Sequence, residues 1–222
     1  MKPRQFSGPL TCPQAVIAIL MLMTSFTAAA EGQEKQDAAS ADPAWSFSLT
    51  AYPTNVRDGD SYTSAIALAD RGALHLEARY NYEAIGARSA FVGWSFSGGE
   101  NITWMIRPLL GGAWGSVSAA VPGLEASAAW KNLDFYVEAE YVRDSKSQSD
   151  SYTYAWSELG YRPLSWLRGG IASQRTRIYA GERDIQLGPF LQATWKKVTI
   201  GGYWFNPGSN EQIFVGSLGV AF

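Results

Sequence analysis

The chain has 222 residues, among them 9 Trp, 11 Tyr, 10 Phe and 22 Gly, with a formal net charge of −2 and a mean hydropathy of −0.12. That balance offers no basic face for nucleic acid, and one Cys with one His leaves no disulfide framework and no zinc ligand set. No run after Ala30 approaches eighteen apolar residues, which excludes a membrane-spanning helix.

Lys2 and Arg4 give a basic start, Ala15 to Phe26 is an apolar run, and Ala28, Ala29 and Ala30 supply small residues at cleavage positions. This is the pattern of a secretory signal peptide over residues 1–30, with Glu31 as the expected mature start. Cys12 precedes the apolar run, so no lipoprotein anchor is expected, and cleavage removes the chain's thiol. Residues 31–43 are polar and lack periodicity, as expected of a flexible lead-in.

From Ala44 onward, aromatic wealth with near-neutral hydropathy is what strands with one oily and one wet face produce. About twelve strands are predicted, at 44–52, 61–69, 73–82, 89–96, 102–111, 122–130, 133–142, 152–161, 165–177, 185–195, 198–205 and 212–222. Short connections (70–72, 97–101, 131–132, 162–164 and 196–197) alternate with mostly longer polar ones (53–60, 112–121, 143–151, 178–184 and 206–211). Facing residues of a hairpin share a side of the sheet. A two-residue Lys131-Asn132 turn sets Trp130 against Leu133, and Lys196-Lys197 sets Trp195 against Val198. A three-residue Asp70-Arg71-Gly72 loop would match Leu68 with Leu74 and Ile66 with Leu76. Strands 152–161 and 165–177 do not sort cleanly, which predicts a bulge or a slipped boundary.

The final strand puts Phe214, Gly216, Leu218, Val220 and Phe222 on one face and stops on the aromatic. This ending resembles the terminal strand of Gram-negative outer-membrane β-barrel proteins, where a C-terminal Phe is the insertion signal. The resemblance implies an all-β fold, a single closed antiparallel transmembrane barrel over 44–222. It also implies delivery by periplasmic chaperones and insertion by the barrel assembly machinery. The short connections are then periplasmic turns and the long ones external loops.

Alternation alone does not separate a membrane barrel from a soluble one, but aromatic height does. Trp45, Trp94, Phe96, Trp104, Trp130, Trp195 and Phe222 fall near the periplasmic ends. Tyr62, Tyr82, Tyr141, Tyr152 and Trp204 fall near the other ends, forming two expected interfacial belts.

The complementary face carries His75, Glu77, Arg79, Asn81, Arg107, Glu125, Asp134, Tyr136, Glu138, Glu140, Gln186, Gln192 and Thr194. Of these, His75, Glu77, Arg79, Arg107, Glu125, Glu138 and Glu140 are the expected lumen-lining set. The Lys131-Asn132 register sets Glu125 opposite Glu138, and facing carboxylates need a cation beside them. Arg107 is the expected partner. Two readings stand for these charges: a salt-bridged belt tying the interior together, or the constriction of a small pore. Twelve strands lie between filled eight-stranded barrels and wide sixteen-stranded channels.

An enzyme is the third reading, and His75 would have to supply the proton transfer of a Ser–His or Asp–His mechanism. Its parity points it into the lumen near the periplasmic end, where a lipid-modifying mechanism has no use for it. No catalyst, metal or cofactor is expected. Arg175, Arg177 and Arg183 cluster near the external end of their strands, where they would either meet lipopolysaccharide phosphates or form a solvated rim. The segment Trp156-Ser-Glu-Leu-Gly-Tyr161 has no evident role in the sequence.

Overall fold

A computed structural model describes residues 43–178 and 183–222. The expected signal peptide at 1–30, and the lead-in at 31–43 apart from Pro43, lie outside the described residues. The strands are β1 (Ser46–Val56), β2 (Tyr62–Arg71), β3 (Leu74–Tyr80), β4 (Ala87–Trp94), β5 (Phe96–Gly98), β6 (Thr103–Gly115) and β7 (Ala119–Trp130). They continue as β8 (Leu133–Asp144), β9 (Tyr152–Leu164), β10 (Leu167–Ile178), β11 (Arg183–Trp195), β12 (Val198–Phe205) and β13 (Ile213–Ala221). β4 and β5 are halves of one strand interrupted at Ser95, and both pair with β6. Each remaining strand pairs with its chain neighbours, and β1 closes the ring on β13. The described residues therefore form a closed antiparallel barrel of twelve strands, the closure that a lipid solvent demands.

Turn chemistry sets the registers. Lys131 and Lys196 take positive φ (53° and 54°) at the first positions of two-residue turns. As expected, Trp130 faces Leu133, Glu125 faces Glu138, and Trp195 faces Val198. The 70–72 turn differs from expectation. Arg71 pairs with Leu74, so the turn is Gly72-Ala73, with φ of +59° at Gly72. Parity on β2 is thereby inverted: Leu68 faces Glu77 and Ile66 faces Arg79 inside the barrel, while Ala65, Ala67 and Ala69 take the outer face. Matching apolar with apolar failed here because the interior itself is partly apolar.

The irregularity expected between 152–161 and 165–177 is a bulge between Leu167 and Gly169. β9 runs on to Leu164, and the turn is Ser165-Trp166 instead of 162–164. The expected 112–121 loop is also shorter. Gly112 and Ala113 pair with Ala120 and Ala119, leaving three residues between β6 and β7.

Outside, Leu49, Val92, Leu110, Leu159, Leu191, Ile200 and Leu218 form the exposed apolar band. The belt at the short-turn end is exposed as expected, with Trp45, Trp94, Phe96, Trp104, Trp130, Trp195 and Phe222 all on the surface. Phe47 stacks on Phe222 at 6.0 Å, and two backbone hydrogen bonds join them where β1 meets β13. The external belt needs correction. Tyr82 is buried, Tyr152 donates its hydroxyl to the Glu83 carbonyl, and Tyr62 shares the inward parity of Ser64. Trp204 is exposed and Tyr141 keeps outward parity as expected, and Tyr80, Trp114 and Phe214 are also exposed at that end.

Candidate functional site in the barrel lumen

The seven expected lumen residues come together. Successive inward positions on β3 carry His75, Glu77 and Arg79; β6 supplies Arg107, β7 Glu125, and β8 Glu138 and Glu140. All seven are buried. Arg79 is the hub. Its guanidinium donates to Glu77 (2.5 and 3.1 Å) and reaches across three intervening strands to Glu140 (2.7 Å) and Glu138 (3.1 Å). It is stacked between the rings of Tyr82 (4.0 Å) and Phe91 (4.1 Å). Sandwiching replaces the water that a planar cation gives up on burial.

Contacts then run in a closed circuit. Arg107 donates to Glu125 at 2.8 Å and lies 3.4 Å from Asp70. Asp70 meets His75 Nδ1 at 2.7 Å, and His75 Nε2 lies 3.6 Å from Glu77. The Tyr136 hydroxyl bridges Glu125 (3.0 Å) and Glu138 (3.3 Å), and Tyr82 donates to Glu138 (2.8 Å). Arg107 therefore answers only one of the facing carboxylates; Arg79 answers the other. Glu83, in the β3–β4 connection, lies 3.8 Å from Arg79, and burial pushes its carboxyl above the ordinary range. Six carboxylates (Asp70, Glu77, Glu83, Glu125, Glu138 and Glu140) thus face two guanidiniums and one imidazole.

A second knot forms at β8–β12. Arg168 pairs with Asp134, with Glu158 at 2.5 Å and with Gln192 at 3.0 Å. Glu158 also accepts from Trp156 Nε1 (3.0 Å) and the Tyr203 hydroxyl (2.9 Å). This explains the 156–161 segment. Trp156 and Glu158 point inward as one hydrogen-bonded pair, two residues apart on β9. Sequence reasoning missed Glu158 and Arg168 because the bulge at Leu167 hid the parity of both strands. It missed Asp70 because a turn residue was not expected to pair with the lumen.

The lumen is two-sided. Charges occupy β3 and β6–β10, whereas Tyr52, Ile66, Leu68, Phe190, Tyr203, Phe205, Ile213 and Val215 make an apolar wall on β1, β2 and β11–β13. Tyr82 meets Tyr154 edge-on at 6.2 Å, joining the β3 side to β9. Side chains thus meet across the barrel at the height of Arg79. Arg175 and Arg177, by contrast, point outward and are exposed on β10, where Arg177 stands in register with Arg183.

A closed antiparallel barrel with an outward apolar band, an aromatic girdle and a charged interior is the architecture of a transmembrane β-barrel. No family model matches the sequence, and no curated protein matches it. Solved structures do match in fold. The KdgM porin is similar with a TM-score of 0.54 at 16% identity, over 79% of this chain and 98% of that one. The NanC porin is similar with a TM-score of 0.55 at 13% identity, over 79% and 98%. The KdgM porin in complex with disordered oligogalacturonate gives 0.53 at 15% identity, over 80% and 99%.

Proposed function

We propose that this chain is a passive channel of the Gram-negative outer membrane for ions and small polar solutes, favouring cations. It is exported with cleavage after Ala30 and inserted by the barrel assembly machinery. The observation that carries the reading is the acid-rich circuit around Arg79, which reaches across the interior of the barrel. Carboxylates in excess of guanidiniums raise the local concentration of cations and repel anions. The KdgM porin holds oligogalacturonate, a polyanion; a lumen of this charge disfavours such a solute. No catalysis belongs to the proposal, since His75 is fully buried with Asp70 on Nδ1 and Glu77 beside Nε2.

The cross-lumen contacts of Arg79 and Tyr82 favour a second reading, a closed barrel whose loops make surface contacts. Purified protein in a planar bilayer separates the two. The channel reading expects small conductance steps and a cation-selective reversal potential in a salt gradient. Neutralising Glu125, Glu138 and Glu140 to Gln should shift selectivity toward anions, most at low salt where the Debye length is longest. A silent wild type whose neutralised variant merely unfolds more easily would establish the circuit as a structural belt.

A further inference from the structure

The outer wall of β7–β10 holds a groove of about 520 Å3, lined by Pro122, Leu124, Ala139, Thr153, Ala155 and Arg175. Its depth follows from register. Leu124, Ala139, Ala155 and Arg175 stand opposite one another on four consecutive strands, so two alanines form the floor between a leucine wall and an arginine. Tyr141, Thr153 and Arg177 form the next row toward the loops, and Arg143 is exposed on β8 beyond them. Every outward position described on these four strands is apolar, hydroxyl-bearing or arginine; none is a carboxylate. Arg143, Arg175 and Arg177 therefore share one patch of the lipid-facing surface without an anion from the same wall.

A guanidinium facing hydrocarbon needs an anion or the interface, and phosphate matches its planar fork. We infer that this groove docks lipopolysaccharide, one acyl chain lying over Ala139 and Ala155 and a phosphate held by Arg175 and Arg177. The apolar trough and the adjacent cations match the two halves of such a lipid. The choice of the outer leaflet rests on the sidedness expected from the sequence, long loops external, which cysteine labelling checks separately.

The probe is lipid A, titrated onto the purified barrel in detergent and counted by native mass spectrometry. Wild type should retain one lipid A. Arg175→Gln with Arg177→Gln should lower retention about tenfold, taking phosphate-to-cation attraction at a membrane surface as the guide. Ala139→Phe fills the trough, leaves every charge in place and should also lower retention; it carries the test alone if the double variant fails to assemble. Arg88→Gln, an outward and exposed cation on β4, should change nothing. Equal retention in all variants would overturn the site, as would equal loss with Arg88→Gln. Equal retention of phosphatidylglycerol would overturn the assignment to lipopolysaccharide.

Discussion

Replacing Arg79 by Gln removes the one cation that four carboxylates share. The four hydrogen bonds it donates to Glu77, Glu138 and Glu140 are charge-assisted. At about 1.5–3 kcal/mol each, their sum would rival the roughly 5–15 kcal/mol that holds a whole domain together. That sum overshoots, because the stranded carboxylates take up protons or admit water. Breaking a buried ion pair by deleting one partner costs about 3–5 kcal/mol, and this is the expected loss for Arg79→Gln. Urea unfolding of the barrel reconstituted in lipid vesicles, followed by the fluorescence of its Trp residues, measures it. Neutralising the carboxylates it bonds as well, in Arg79→Met with Glu77→Gln, Glu138→Gln and Glu140→Gln, should recover at least half, since none of its hydrogen-bonded carboxylates is left charged. The same single substitution shortens the side chain that crosses the lumen and should increase conductance. A loss below about 1 kcal/mol, the range of a solvent-exposed pair, would refute the hub. So would a fourfold variant no more stable than the single one.

Two further outcomes follow from the fold. Deleting Phe222 removes its stack on Phe47 and a backbone pair at the β1–β13 closure; heat-modifiable barrel on gels should fall sharply, and normal assembly would count against an insertion role. Cysteines placed at Gln148 and Ser209 should react with a membrane-impermeant maleimide on intact cells while one at Asn132 stays protected, and the reverse pattern would invert the topology.

What the sequence made legible was whatever period two and turn chemistry control: the strand count, the Lys131 and Lys196 hairpins, the Glu125–Glu138 opposition, and the inward set on β3. It failed where the assumption of a wholly polar interior decided the answer. Matching Ile66 with Leu76 and Leu68 with Leu74 would put both on the lipid face, yet the Gly72-Ala73 turn places them in the buried cluster with Tyr52 and Val215. Tyr82 and Tyr152 were read as interfacial because of their height, though their hydroxyls serve Glu138 and the Glu83 carbonyl. A one-residue bulge hid Arg168 and Glu158. Local pattern thus locates strands, but the side each residue faces is set by turns and bulges one residue long.

The division of the interior into an ionic wall and an aromatic wall has an electrical consequence. Carboxylates and guanidiniums lie along β3 and β6–β10, and the wall of β1, β2 and β11–β13 offers few charges and low polarity. Field lines therefore run sideways across the lumen as well as along it. In the proposed channel a permeant with a dipole would be turned by that transverse field before it moves, its positive end toward β7 and β8 and its apolar edge toward β12. Orientation, and not size alone, then becomes a condition of passage, and two isomers of equal bulk but opposite dipole would cross at different rates.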